Sequence, residues 1–169
     1  PEIALMRDQV AQLTRLGIEA GSLNSTNDVD EKRRIAAAAR EGRMRLLYAS
    51  PERLSHDSTA EWLARSNVTL LAVDEAHCLS QWGHDFRPEY KLLGSVRQRL
   101  GGVQTIALTA TADVATRDDI IASLFDRTPH IVVQGFDRPN LRLAMEPKAN
   151  TRHQILSLVQ RHPGESGIV

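Results

Sequence analysis

Asp74 and Glu75 follow the apolar run Leu70-Leu71-Ala72-Val73 without a break. A short apolar run without alternation predicts a strand buried on both faces. Burying an unpaired carboxylate is costly, so the acidic pair is expected at an open mouth at the end of that strand, facing a cation. The first acid of such a pair can hold Mg²⁺ through its water shell. The second can orient or deprotonate an attacking water, which is the chemistry of nucleotide hydrolysis. The plainer reading is a salt-bridged strand end. Ala76 and His77 follow the pair directly.

Three further groups have chemical potential. Thr109-Ala110-Thr111 ends a second apolar run, Thr105 to Leu108. In an open α/β sheet ligands gather at the carboxyl ends of strands. Hydroxyls there can bond His77 and transmit a nucleotide-dependent shift; the plainer reading is helix capping before Asp113. Trp82, His84, Phe86 and Arg87 crowd into the stretch from Gln81 to Arg87, although aromatic residues make up only 4% of the chain. Ring faces, an imidazole and a guanidinium can stack bases and hold a phosphate of single-stranded nucleic acid. The alternative is a small satellite core under a loop. Ser50-Pro51-Glu52-Arg53 follows a strand, and its backbone amides and Arg53 can hold phosphates; a turn with a surface arginine serves as well. His56, His130, His153 and His162 lack metal-ligand spacing and read as surface or capping residues. Cys78 reads as a small buried hydrophobe.

The elements that must position these groups alternate. A helix is expected over Pro1 to Gly17, from Ile3, Met6, Val10, Leu13 and Leu16. Leu23 to Thr26 is turn-like. A second helix runs from an Asn27 or Asp28 cap to about Arg40, with Gly42 as its stop. Leu46 to Ala49 is a short strand, and Ser58 with Glu61 forms a capping box before Trp62-Leu63. Leu70 to Val73 is the central strand. Pro88 opens a helix carrying Tyr90, Leu93, Val96 and Leu100. Thr105 to Leu108 is a buried-type strand, and Asp113 caps a helix with Ile120, Ile121 and Leu124. Ile131 to Val133 is a fourth strand. The turn-rich stretch GFDRPN, 135–140, marks a domain boundary. Beyond it, Leu141 to Met145 is a candidate strand, and Asn150 to His162 a helix with Ile155, Leu158 and Val159 inward. Ser166 to Val169 begins another strand. The class is α/β with a mostly parallel sheet.

The chain's 169 residues can build one domain, or one domain and part of another. No apolar run approaches the ~20 residues that span a bilayer, and no signal-peptide pattern opens the chain, so a cytoplasmic location is the default. A single cysteine excludes an internal disulfide and a multi-cysteine zinc site within this segment. Formal net charge is zero, so a nucleic-acid role needs a local surface rather than a bulk basic field. Most of the positive charge is arginine, which suits bidentate phosphate recognition, although a genomic bias toward arginine codons accounts better for most of these residues.

Taken together, these residues resemble the RecQ family of superfamily-two DNA helicases over nearly the whole chain. ALMRDQVAQL is similar to its motif Ia region, and LNST and LLYASPERL to the segments that follow. LLAVDEAHCLSQWGHDFRPEY resembles motif II fused to an aromatic-rich loop, ALTATA motif III, FDRPNLR the passage into a second lobe, and SGIV the start of motif IV. DEAH alone does not separate this family from RNA helicases; the run through SQWGHDFRP does.

The resemblance implies a partial RecA-like, P-loop NTPase type parallel sheet flanked by helices, with the P-loop strand missing. It implies a first lobe over 1–134, a linker over 135–140 and the start of a second lobe over 141–169. The implied activity is an ATP- and Mg²⁺-dependent motor unwinding DNA with 3′-to-5′ polarity in repair and recombination. Carried onto this chain, Asp74 binds Mg²⁺, Glu75 is the catalytic carboxylate, and His77 links the nucleotide site to the DNA-sensing loop. Thr109 and Thr111, with Asp74 and Glu75, are expected at the bound nucleotide, and Trp82, His84, Phe86 and Arg87, with Ser50 and Arg53, are expected to contact DNA. The implied partners are single-stranded and duplex DNA, with no membrane, for a monomer at the bacterial nucleoid or in a nucleus.

The chain departs from the family pattern in having no G-x-x-x-x-G-K-[ST]. The family's arginine finger, zinc-binding region and winged helix also have no counterpart here, so zinc is expected only outside this chain. Glu2 stands where the family usually has an apolar residue. Without a P-loop's backbone cradle and lysine, Asp74 and Glu75 alone are expected to hold Mg-ATP poorly. The strand Thr105 to Leu108 is expected to show an exposed apolar edge. The competing reading is a non-catalytic DNA-binding remnant of a helicase, separable by the coding sequence upstream of Pro1. A DEAH-type RNA helicase is a third, disfavoured by the aromatic loop.

Overall fold

The structure, a computed structural model, describes residues 2–54, 56–81, 85–135 and 140–168. It falls into two compact units, Pro1–His130 and Ile131–Val169.

In the first unit, helix α1 (Glu2–Arg15) leads to strand β1 (Ala20–Leu23), helix α2 (Val29–Arg40) and strand β2 (Leu46–Ala49). β1 and β2 pair in parallel, Ala20 opposite Leu46 and Leu23 opposite Ala49. Parallel neighbours need a crossover, and α2 supplies it. The Asp28 carboxylate caps α2 by accepting from the Glu31 amide at 2.8 Å. β1 is not foreseen by its sequence, because Ala-Gly-Ser-Leu lacks the β-branched and aromatic residues that mark strands. Its small residues are needed there: a Cβ on Gly21 would sit 3.1 Å from Ile35 Cγ1, so α2 lies close over the strand.

After β2 come helix α3 (Pro51–Leu54), helix α4 (Asp57–Ala64) and strand β3 (Leu70–Val73). The capping box expected from Ser58 and Glu61 does not form. The helix starts earlier, with His56 at the cap position and its carbonyl accepting from the Thr59 amide at 2.9 Å, so Ser58 already lies inside it. A 3-10 turn (Ala76–Leu79) follows β3, and a second (Pro88–Leu92) opens helix α5 (Leu93–Arg99). Strand β4 (Gln104–Ala107) and helix α6 (Val114–Leu124) complete the unit. β3 and β4 are parallel, Leu70 opposite Gln104 and Val73 opposite Ala107. The expected parallel sheet thus appears as two parallel pairs flanked by helices.

β3 is not buried on both faces. Its inner face, Leu71 and Val73 with Ala107 of β4, joins a core of Leu54, Leu63, Leu79, Tyr90, Leu93, Val96, Ile120 and Leu124. Its outer face is open: Leu70 is 51% and Ile106 44% exposed. An apolar run shows what a strand could bury; packing on each face decides what it does bury. β4 pairs only with β3 among the described residues, and Leu108 beyond it is exposed.

α5 and α6 cross closely at Gly94, where an added Cβ would collide with the Ser123 carbonyl oxygen. Gly94→Ala is therefore expected to destabilise the fold by about 1–3 kcal/mol, the usual cost of overpacking, read as a lowered denaturation midpoint. The crossing is pinned by Arg97, whose guanidinium lies 2.7 Å from Asp126 and also donates to the Thr105 hydroxyl at 3.2 Å.

Arg97 holds the Asp126 carboxyl below the usual carboxylate range, and the Thr116 backbone amide does the same for Asp113 at the α6 cap. Both acids have a folded pKa below the unfolded value. Their stabilisation is complete above the unfolded pKa, about 3.9, and is lost as pH falls through the folded one. Acid unfolding followed by circular dichroism is expected to begin below about pH 4, with a shallower pH dependence in Asp126→Asn.

Among the described residues of the second unit only helix α7 (Thr151–Arg161) is regular, capped by the Asn150 side chain, which accepts from the His153 amide. Ile131 to Val133, Leu141 to Met145 and 166–168 form no strand; they are exposed and unpaired. Leu158 and Val159, expected inward, are 50% and 58% exposed, and Ile155 is only half-buried. A strand needs a neighbouring edge to bond, and an amphipathic helix needs a surface to cover. The linker assigned to 135–140 lies largely outside the described residues.

Candidate nucleotide and nucleic-acid site

The acidic pair sits just past the carboxyl end of β3. Leu108 grips the chain on both sides of it: its amide donates to the Val73 carbonyl at 2.9 Å, and its carbonyl accepts from the Ala76 amide at 2.9 Å. Asp74 and Glu75 form the excursion between these bonds, and both are exposed. The excursion forces Glu75 into the left-handed region, φ 48 and ψ 42. That conformation costs an ordinary residue about 1–2 kcal/mol. Asp74 Oδ1 accepts from the Glu75 amide at 2.9 Å.

The next residues turn back into the core. Ala76, His77, Cys78 and Leu79 are all buried. His77 Nδ1 lies 3.3 Å from Glu75 Oε2 and 3.1 Å from Thr109 Oγ1. The Thr109 hydroxyl can donate to the Thr111 carbonyl at 3.3 Å, and it accepts from the Thr111 amide at 3.2 Å. A carboxylate only accepts, so the network assigns the proton to Nδ1, shared between Glu75 and Thr109. The acid turn and the end of the β4 segment are thereby joined through one imidazole.

The loop beyond is anchored at its exit: the Arg87 amide donates to the Cys78 carbonyl at 3.1 Å, and Arg87 Nη2 lies 3.0 Å from Asp85 Oδ2. Hydrogen bonding from Arg87 holds the Asp85 carboxyl below its usual range. Phe86 is half-buried, and Lys91 Nζ stands 5.3 Å from its ring centroid, within cation–π range. Lys91 was not singled out from the sequence; its spacing from Phe86 matches no motif. Trp82 and His84 lie outside the described residues.

The Ser50 turn is brought beside this loop exit, because α3 packs against the second 3-10 turn. The Ser50 amide is already committed to the Leu23 carbonyl at 3.0 Å, so that amide is not open to a phosphate. Arg53 differs: its Nε is buried with no hydrogen-bond partner among the described residues.

His77, Cys78 and Asp85 place donor atoms within 4.8 Å of one another. Their existing contacts account for them: Asp85 is held by Arg87, and His77 by Glu75 and Thr109. Burial pushes the Cys78 thiol up, the behaviour of a packing residue. Asp74 and Glu75 do fit a hydrated Mg²⁺: they are hard oxygen donors, solvent-facing, and Asp74 has no cation paired to it among the described residues.

A parallel α/β unit with an acidic pair at a strand end, wired by histidine to the next strand, is the arrangement of a helicase motor lobe. The chain belongs to the DEAD/DEAH box helicase family, which it matches over residues 1–120. Within that family the similarity is to RecQ helicases. The chain is 43% identical over 169 residues to the ATP-dependent DNA helicase RecQ of Haemophilus influenzae, covering all of this chain and 27% of that protein. It is 40% identical over 170 residues to RecQ of Bacillus subtilis, covering all of this chain and 29% of that protein. It is 42% identical over 150 residues to the mouse bifunctional 3'-5' exonuclease/ATP-dependent helicase WRN, covering 88% of this chain and 10% of that protein. The chain thus spans under a third of the length of these relatives. Among the described residues no helix is long and apolar enough to cross a membrane.

Proposed function

We propose that the protein carrying this chain is an ATP-dependent DNA helicase that moves 3′-to-5′ on single-stranded DNA and unwinds duplexes in repair and recombination. The observation that carries this reading is the His77 bridge, 3.3 Å to Glu75 and 3.1 Å to Thr109, which joins an exposed acidic pair to the end of the β4 segment. Residues 1–134 are read as the first motor lobe, 135–140 as a linker and 141–169 as the start of a second lobe. The protein works as a monomer, at the nucleoid of a bacterium or in a nucleus.

Asp74 holds hydrated Mg²⁺ with its solvent-facing carboxylate. Bound Mg-ATP supplies the γ-phosphoryl electrophile and the charge neutralisation that lets water attack it. Glu75 orients that water and accepts its proton. His77 keeps the Glu75 carboxylate aimed, and Thr109, held by Thr111, meets the same Nδ1 of the imidazole. Phe86 and Arg87, with Trp82 and His84, stack bases and hold phosphate; Ser50, through its hydroxyl, and Arg53 contribute from the adjoining turn. Similarity to ATP-dependent DNA helicases supports DNA as the track. No G-x-x-x-x-G-K-[ST] occurs in the 169 residues, so the chain alone is expected to turn over no Mg-ATP.

The test compares duplexes carrying 3′ or 5′ single-stranded tails, in DNA and in RNA, with the protein that carries this chain. ATP-dependent unwinding of the 3′-tailed DNA alone is expected. Preference for RNA, or for a 5′ tail, would overturn the assignment.

A further inference from the structure

One bond at this site is not part of the scheme above. Ser80 is completely buried, and its hydroxyl donates to Asp119 Oδ2 at 2.6 Å across 39 residues of sequence. That distance is in the range of a charge-assisted O–H···O⁻ bond. Asp119 sits on α6, half-buried beside Thr116 and Ile120, and no arginine or lysine pairs with it among the described residues. A partly desolvated carboxylate whose side-chain partner among the described residues is a hydroxyl is an expensive way to fill space.

Its position gives it a use. Ser80 closes the 3-10 turn, its amide bonded to the His77 carbonyl at 3.1 Å, and the aromatic loop begins at the next residue. The turn is therefore held at both ends to one stretch of chain: His77 to Thr109, and Ser80 to Asp119. That stretch is continuous, with Asp113 capping α6 through the Thr116 amide at 2.8 Å. Resting on the helicase reading above, we propose that Asp119 is a positioning residue for DNA-stimulated hydrolysis. By fixing the root of the loop to α6, it makes the turn move as one body, so that a pull on the loop reaches Glu75 instead of being absorbed at Ser80.

The test measures basal and single-stranded-DNA-stimulated ATP turnover, DNA affinity and thermal midpoint in the protein carrying this chain. Asp119→Ala and Ser80→Ala are each expected to lower the stimulated-to-basal ratio by about fivefold or more, the scale of an ordinary coupling between sites. Basal turnover and DNA affinity stay within about twofold, and the double variant is no worse than either single one, as partners in one bond require. Asp119→Asn keeps an acceptor and recovers most of the ratio, which also covers the case in which Asp119→Ala does not fold. If basal and stimulated turnover fall together with the thermal midpoint, or the two substitutions add, the bond is structural only and the inference fails. If the unsubstituted protein shows no DNA-stimulated turnover, the helicase reading fails instead.

Discussion

Glu75→Gln is expected to cut ATP turnover by a factor of about 10²–10⁴, the usual contribution of a positioned general base, while Mg-ATP binding persists. The amide keeps the side chain's size and its acceptor oxygen towards His77, now 3.3 Å away, but cannot take a proton from water. Single-turnover kinetics and nucleotide binding measured on the same protein separate the two effects. Near-normal turnover would remove Glu75 from its assigned role. A companion substitution distinguishes a functional residue from a structural one. Glu75 holds φ 48, which costs a non-glycine residue about 1–2 kcal/mol. Glycine releases that strain but adds roughly 0.5–1 kcal/mol of backbone entropy to the cost of folding. Glu75→Gly is therefore expected to leave the thermal midpoint unchanged or slightly raised while abolishing hydrolysis. A clear loss of stability would mean that the carboxylate supports the fold.

The second large effect lies in the loop. Phe86→Ala is expected to weaken single-stranded DNA binding by about 1–3 kcal/mol, the worth of one stacked base, and to reduce DNA-stimulated hydrolysis more than basal hydrolysis. Fluorescence anisotropy with a labelled oligonucleotide and steady-state turnover read the two quantities. The half-buried ring carries Lys91 over it, so some loss of packing accompanies the loss of stacking. Lys91→Met, which removes the charge and keeps much of the chain length, serves as the control. If Phe86→Ala leaves stimulation intact, the ring is a packing residue and the loop senses DNA elsewhere.

The local part of the fold was legible in the sequence. Asp28, Asp113 and Asn150 announce their helices because a cap is a contact within three residues. Pro88 announces its turn by fixing its own backbone. Asp74 and Glu75 announce an open site because two adjacent carboxylates cannot follow an apolar strand into a core. Where long-range partners decide, legibility ends. Ala20–Leu23 is a strand because β2 and α2 accept it, with nothing strand-like in its composition. Ile131 to Val133 has the right composition, but composition alone does not make a strand, and it is not one among the described residues.

By itself, then, the sequence singled out the candidate residues for the proposed chemistry: an acid pair, a histidine two places on, a threonine pair and an aromatic loop. Only the tertiary structure decided how they are joined. Leu108 clamps both sides of the acidic excursion, His77 shares one proton between Glu75 and Thr109, and Ser80 reaches Asp119. The physical reason is range. A side chain's chemistry and its cap depend on neighbours within a turn, whereas a hydrogen bond across 39 residues depends on where two strands and a helix come to rest.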